Sequence, residues 1–494
     1  MGPAIYGSGE SLALFTDFYQ LTMAYGYWKS GFPDRGAAFS LFFRKTPRRG
    51  ALAIVAGLET AVDFVRRLRF DESDLAYLSG LRTESGRPFF DPPFLRYLRT
   101  LSFRCDIDAI PEGTPVFPYE PLLIVKGPIL QAQLLETALL NVVNFQTLIA
   151  TEAFRIVDAA EGDPVIEFGM RRAQGLDGAF SGTRAAFIGG CRGTSNVLAG
   201  KHFAIPVRGT QSHSWIMAFS EEREAFASYA RVMPDSCIYL VDTYDTVRGI
   251  ENAIATAKRE GGGRMIGIRL DSGDLAQLSI VARDLLDQAG FSDAKIMASN
   301  EIDETTIRDL KRRGAAIDVW GVGTKLITGG GRGALDGVYK LSAVRNRAGE
   351  WVGKMKVSEQ ITKTTNPGIL HPGRVVSRSG SYLFDILHEE GKGPEEGSVW
   401  VDSVDPVQRR VCTSDHTVEE LLVPVMREGE PVYPFPPLEA IRARTLRMSA
   451  LLSPSVRRPL NPEPYFVGLR ESVYRDKMCR MDRLRSGKAE GGVS

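Results

Sequence analysis

Cysteine is scarce in this chain. Five stand in 494 residues (Cys105, Cys191, Cys237, Cys412 and Cys479), an odd number with no CxxC pair. That argues against a disulfide framework and a zinc site, and suits a reducing compartment. An excess of one charge is also lacking: 61 Lys and Arg against 60 Asp and Glu give a formal net charge of +1. No whole-protein field then draws nucleic acid or an anionic membrane, although a local basic pocket stays open. Apolar runs such as Ala51 to Ala56 fall far short of a bilayer span. The opening MGPAIYGSGE has no basic segment leading into an apolar one, and Tyr6 stands where a myristoylation motif needs Ser or Thr. No solenoid-period repeat, serine nucleophile elbow, HExxH or Walker A pattern is present. The expectation is a cytoplasmic protein with neither nucleic acid nor membrane as partner.

What is there begins with an ordinary globular composition, 43% hydrophobic and 24% charged. The length allows more than one domain and a large core without staples. In the first third, Leu12 to Ser30 has helical spacing that ends at Gly31 with Pro33 beyond. Ala37 to Arg44 reads as a strand, Gly57 to Arg69 as a helix, and Leu130 to Asp158 as several helical turns. The middle alternates. β-rich runs at Pro164–Phe168, Ala204–Val207, Cys237–Val241, Met265–Leu270, Lys295–Ala298 and Ile317–Trp320 are separated by helical stretches such as Val247–Glu260, Asp274–Gln288 and Asp303–Arg313. Such alternation predicts a parallel α/β arrangement, open or closed. Beyond about residue 345 it weakens into short strands between Gly- and Pro-containing loops. Gly261–Gly263 and Gly329–Gly333 read as glycine-rich turns, the second also as a loop that closes over a ligand. The end, RSGKAEGGVS, reads as a disordered tail.

The ends of the six runs gather chemistry: EFGMRRAQ, RGTQSH, VDTYDT, RLDSGD, SNEID and GVGTK. Barrel enzymes build active sites from such strand-end loops. GVGTK (Gly321 to Lys325) suits a phosphate cradle, or simply a tight turn. GGCRGTSN (Gly189 to Asn196) is a second glycine-rich turn whose Thr194 or Ser195 can cap a helix. Arg269 is costly to bury without an anion partner. Asp271 suits sugar hydroxyls or magnesium, and Asp271 or Ser272 suits the cap of the next helix. Phe168 with Arg171 and Arg172 fits a flat, anionic aromatic ligand, or a core ring beside two solvated arginines. His213 taken alone reads as a structural histidine sooner than a catalyst. Asp242 and Asp245, on the next strand end, are the carboxylates placed to orient it.

Taken together the motifs resemble nicotinate phosphoribosyltransferases. They run in the family's order through TDFYQLTMAY (Thr16 to Tyr25), FFRKTP (Phe42 to Pro47), EFGMRRAQG, GGCRGTSNVLAG, RGTQSHSW, VDTYDT, GIRLDSGDL, SNEID, VWGVGT, GVYKL and KVSEQITKTTNPG, covering roughly residues 12 to 370. The resemblance implies the type II phosphoribosyltransferase fold. In that α/β fold an irregular parallel barrel stands beside an α+β domain assembled from both ends of the chain. The expected division is 1–135, 136–345 for the barrel, 346–484 returning to the first domain, and a tail from 485. It implies an ATP-dependent ligase or pentosyltransferase of NAD biosynthesis, joining nicotinate to phosphoribosyl pyrophosphate with magnesium.

Carried over residue by residue, His213 is the phosphorylated histidine with Asp242 as its orienting partner. Phe168 and Tyr19 sandwich the pyridine, Tyr19 reaching in from the second subunit of a homodimer. Arg269 faces the nicotinate carboxylate, Asp271 with Ser272 the ribose, and Arg171 a phosphate. Thr210 belongs to the same set, and Gly321, Gly323 and Thr324 hold the 5′-phosphate. The metal ligands are not named by the resemblance. Two alternatives remain: a nicotinamide phosphoribosyltransferase, and a silent relative that binds phosphoribosyl ligands. Gln211 bears on the first, since nicotinamide enzymes resemble Gly-Thr-Asp where this chain has Gly-Thr-Gln.

Overall fold

The computed structural model describes residues 11–46, 51–260, 265–360 and 363–486. The Gly261–Gly263 turn, Pro47 and the tail beyond Ser486 lie outside them. The chain forms two compact units, 149–333 and a second built from 1–148 with 334–494. The first change of unit falls inside the helix Glu136–Ala159.

The unit 149–333 holds six parallel strands: β1 Val165–Glu167, β2 Gly193–Thr194, β3 Ile238–Leu240, β4 Gly267–Leu270, β5 Lys295–Ala298 and β6 Val319–Val322. Their spatial order is β2-β1-β6-β5-β4-β3. Strands buried on both faces read as unbroken apolar runs, as in Ile296–Ala298, and crossover helices join them in parallel. The helices Thr246–Glu260, Leu275–Gln288 and Glu304–Arg312 follow β3, β4 and β5. Their starts are set by local chemistry. Asp274 Oδ1 accepts from the backbone N–H of Ala276 and Gln277 at 3.1 and 3.3 Å, and Asp303 caps its helix through Thr306 N–H at 2.9 Å. The cap after RLDSGD is therefore Asp274, not Asp271 or Ser272. After GGCRGT it is Asn196, whose Oδ1 accepts from Ala199 N–H at 3.2 Å, not Thr194 or Ser195.

A ladder that closes into a barrel does not form among the described residues. The expected strand Ala204–Val207 supplies only one parallel bridge, Thr194 to Val207. Ala204 is left-handed at φ 56°, and Pro206 has no N–H to donate. The segment instead runs irregularly between the two edge strands. On one side Arg208 N–H donates to Thr194 O at 2.8 Å; on the other Gln211 Nε2 donates to Ile238 O at 3.2 Å.

The other unit draws its sheets from both ends of the chain. A seven-stranded antiparallel sheet pairs Gly36–Phe43 with Leu123–Pro128 on one side and with Gly337–Arg345 on the other. A six-stranded sheet is made wholly from segments after residue 369, around Leu370–Val376, Tyr382–Glu389 and Val467–Arg470. The helix expected from Leu12 begins at Phe18 and ends as expected, with Gly31 left-handed at φ 76°.

One buried polar group in this unit bears on stability. Arg374 and Asp385 are both fully buried and pair through two bonds, Nε to Oδ1 at 2.9 Å and an Nη to Oδ2 at 2.6 Å. Glu120 is fully buried near the same Asp385 carboxylate, and burial, then that negative neighbour, push its carboxyl well above the usual range. Its folded pKa is raised, so it binds a proton that the unfolded chain releases, and stability falls as pH rises past the ordinary carboxyl range. Asp385→Ala leaves a guanidinium buried and unpaired and should cost about 3–5 kcal/mol in urea unfolding. Glu120→Gln carries no titrating carboxyl, so the fall in stability with rising pH should disappear when urea unfolding is followed across pH. A loss of several kcal/mol in Glu120→Gln at neutral pH would mean that Glu120 is ionised.

Candidate active site

The C-terminal ends of β1, β4, β5 and β6 surround a cavity of about 720 Å³. Openings at this end of a parallel sheet collect the loops that follow its strands. Six strand-end motifs contribute to it or to its immediate support.

Its core is Arg269, on β4. All three guanidinium nitrogens donate: Nε to Ser299 Oγ at 2.8 Å, one Nη to Thr210 Oγ1 at 3.0 Å and the other to Asp271 Oδ1 at 2.7 Å. Two N–H groups remain for a ligand, since the fork carries five. Ser299 Oγ also donates to Asp271 Oδ1. Burial pushes the Asp271 carboxyl up. The Ser299 hydrogen bond and the Arg269 charge outweigh that and hold it below the usual range. A depressed carboxyl contributes stability above its unfolded pKa that is lost as pH falls through the folded one, so Asp271 is anionic at neutral pH.

Phe168, half-buried, follows β1 and lies under the arginine, with the guanidinium carbon 5.8 Å from the ring centroid. That approach requires Gly321 on the neighbouring β6. A Cβ there would stand 2.9 Å from the Phe168 ring and 3.3 Å from Ser299 Cβ. Arg171, Gly323 and Thr324 complete the wall beside them. A flat ring, an arginine with spare donors and a carboxylate therefore share one cavity.

His213 starts the short helix His213–Met217. Its Nδ1 lies 3.2 Å from Thr243 Oγ1, and its Nε2 is 3.6 Å from Asp271 Oδ2. The expected partner Asp242 is turned elsewhere. Its Oδ2 accepts from Asp271 N–H at 2.9 Å and from Ser272 Oγ at 2.6 Å, so it braces the loop that presents Asp271. The groups beside the imidazole are thus Thr243 and Asp271. Tyr19 stands on the other unit, 47% exposed in the first turn of Phe18–Lys29. Sequence reasoning missed Ser299 and Thr243. Each sits in a quoted strand-end motif or next to one, and nothing in its residue type sets it apart from neighbouring hydroxyls.

Two places in the chain offer carboxylates to a metal ion. Asp242 Oδ1 is buried without a hydrogen-bond partner, next to Asp271, and fits a divalent cation. Asp108, His371 and Glu390 of the other unit also converge. There Lys126 Nζ already sits 3.0 Å from Asp108 and 2.5 Å from Glu390, so an ammonium fills the place an ion would take. No helix among the described residues is long and apolar enough to cross a membrane.

Comparison with known proteins agrees along the whole chain. Residues 14–144 match the nicotinate phosphoribosyltransferase (NAPRTase) N-terminal domain, 164–368 the nicotinate phosphoribosyltransferase (NAPRTase) family, and 373–477 the corresponding C-terminal domain. A Bacillus subtilis nicotinate phosphoribosyltransferase is 43% identical over 485 residues, 97% of this chain and 96% of that protein. A Caenorhabditis elegans nicotinate phosphoribosyltransferase is 34% identical, covering 93% of this chain and 92% of that protein. The crystal structure of human nicotinic acid phosphoribosyltransferase superposes with a TM-score of 0.81 at 32% identity, over 94% of this chain and 99% of that one. The chain belongs to the nicotinate phosphoribosyltransferase family.

Proposed function

We propose that this enzyme transfers the phosphoribosyl group of phosphoribosyl pyrophosphate to nicotinate, forming nicotinate mononucleotide and pyrophosphate in NAD salvage. The observation that carries the reading is the joint placement of the Phe168 ring, the Arg269 fork and the Asp271 carboxylate in one cavity. The spare Arg269 donors receive the nicotinate carboxylate as a charge-assisted pair, and the ring lies against Phe168. The pyridine nitrogen lone pair forms the bond to the anomeric carbon, and the bond to the pyrophosphate oxygen breaks. Positive charge develops on the ribose ring, and Asp271, anionic at neutral pH, stabilises it electrostatically. Arg171 and the Gly321–Thr324 turn bind phosphate oxygens. Asp242 Oδ1 would be the protein atom that holds magnesium, whose charge would offset that of the departing pyrophosphate.

ATP enters through His213. With Asp271 facing Nε2, the proton belongs on Nε2 and the lone pair on Nδ1, where the Thr243 hydroxyl now sits. Nδ1 attacks the terminal phosphorus of ATP, releasing ADP, and the phosphohistidine is hydrolysed later in the cycle. The functional unit is a homodimer in which Tyr19 of one subunit faces Phe168 of the other. The exposed apolar surface of Phe15, Phe18, Tyr19 and Met23 supports that reading.

Nicotinate is favoured over nicotinamide because Gln211, in the cavity wall, is neutral, with its amide oriented by the bond to Ile238 O. Gln211→Asp places a second anion next to the ligand's carboxylate and should lower kcat/KM for nicotinate by about tenfold or more. An unchanged value would separate Gln211 from substrate choice. The reaction itself is tested by mixing nicotinate, phosphoribosyl pyrophosphate and magnesium with and without ATP and following pyrophosphate. No turnover in either mixture would leave the silent-relative reading standing.

A further inference from the structure

We infer that Glu167 is a positioning residue for this reaction: with Thr194 and Thr183 it fixes the two loops, 168–172 and 195–196, that form one wall of the cavity. The inference rests on the catalytic reading above.

Glu167 ends β1 and is 1% exposed, so it does not touch a ligand. Its Oε1 accepts the backbone N–H of Gly169, at the base of the turn carrying Arg171. Its Oε2 accepts from Thr194 Oγ1 at 2.6 Å and lies 3.1 Å from Thr183 Oγ1. Backbone bonds join the same segments: Ser195 N–H donates to Glu167 O at 3.0 Å, and Phe168 N–H to Val322 O at 2.7 Å. Ser195, Phe168, Arg171 and Arg172 all line the cavity.

The chain of bonds has a direction. Thr194 Oγ1 accepts Asn196 N–H at 2.9 Å through a lone pair and gives its single proton to Glu167 Oε2. Thr183 has the carbonyl of Ala179 at 2.8 Å as an alternative acceptor and is the less committed member. Only an acceptor on Glu167 satisfies Thr194. The turn is also shaped closely around this carboxyl, since a Cβ on Gly169 would stand 2.9 Å from Oε1 and 2.6 Å from Ile327 Cβ.

No basic group pairs with Glu167 among the described residues. Burial pushes its carboxyl up, against the pull of the Thr194, Gly169 and Thr183 hydrogen bonds. A buried carboxyl without a cation is a poor stabiliser, because desolvation of the charge is met by hydrogen bonds alone. Its placement makes sense as geometry: one group ties three segments at the point where two of them become cavity wall.

The test compares Glu167→Gln, Thr194→Val and Thr194→Ser in the full-length protein. Glu167→Gln offers an amide that cannot accept the Thr194 proton and the Gly169 N–H together. Thr194→Val removes the hydroxyl at constant shape. Both should keep the parental circular dichroism and lose about tenfold or more in turnover, mostly in kcat, as misplaced groups do. Thr194→Ser should restore most of that loss. Hydrogen exchange should quicken at 168–172 and 194–196 and stay parental in the other strands. Folded variants with kcat and KM within about twofold of the parent and unchanged exchange would make the network purely structural and overturn the inference. If Glu167→Gln fails to fold, the two Thr194 variants decide it. If the parent itself shows no turnover, the catalytic reading fails, and local exchange still decides whether Glu167 holds the two loops.

Discussion

His213→Ala is expected to lose all stimulation by ATP while a slower, ATP-independent formation of nicotinate mononucleotide remains. The two outcomes separate because the imidazole and the glycosyl-transfer groups are different sets. Arg269, Ser299, Thr210 and Phe168 keep their contacts without His213, whose own neighbours are Thr243 and Asp271. Asp271 is the shared element, and it retains its bonds to Arg269 and Ser299 when the imidazole is gone. Steady-state rates at matched substrate with and without ATP give the answer. ATP stimulation equal to the parent's would place the phosphoryl acceptor elsewhere. Loss of the basal reaction together with the ATP effect would instead make His213 part of the transfer step.

The second large effect is at Arg269. Arg269→Ala removes the charge proposed to meet the nicotinate carboxylate and strips Asp271 of its guanidinium partner, leaving a partly buried carboxylate with the Ser299 hydroxyl as donor and the His213 imidazole 3.6 Å away. Truncating one partner of a buried, hydrogen-bonded charge pair costs about 2–5 kcal/mol in binding, so kcat/KM for nicotinate should fall by about 30-fold or more. Arg269→Lys should recover little of it. One ammonium cannot reach Ser299, Thr210 and Asp271 in the fork's geometry and still present two donors to a carboxylate. The KM for nicotinate should rise more than that for phosphoribosyl pyrophosphate. Equal rises in both would place Arg269 on the phosphates.

Strands were largely legible because their signals are local, whereas both caps named from sequence moved: Asn196 and Asp274 cap in place of the residues just before them. Lys295–Ala298 is a strand with the expected bounds, and Asp303 begins the next helix as its position suggests. Ala204–Val207 misled, because a β-branched run beside Pro206 describes what the side chains prefer and not whether the backbone finds a ladder. Of the candidate site, the strand-end motifs marked which residues gather, and Arg269 with Asp271 stood out by charge within an apolar run. The choice of carboxylate beside His213 was not legible. Asp242 and Asp271 end neighbouring strands, and which one faces the imidazole depends on Asp271 N–H capturing the Asp242 carboxylate. Glu167 was equally hidden, since a carboxylate at a strand end reads the same whether it faces ligand or packs behind the wall. Its role emerges only when Thr194, 27 residues away in sequence, is seen against it.

The central claim is that this cavity joins nicotinate, in preference to nicotinamide, to a phosphoribosyl group. It is tested most directly by offering both pyridines at equal concentration with phosphoribosyl pyrophosphate, magnesium and ATP, and identifying the nucleotide by mass. The account predicts nicotinate mononucleotide in large excess, with pyrophosphate formed in equal amount. Nicotinamide mononucleotide as the main product, or no nucleotide at all, would contradict it.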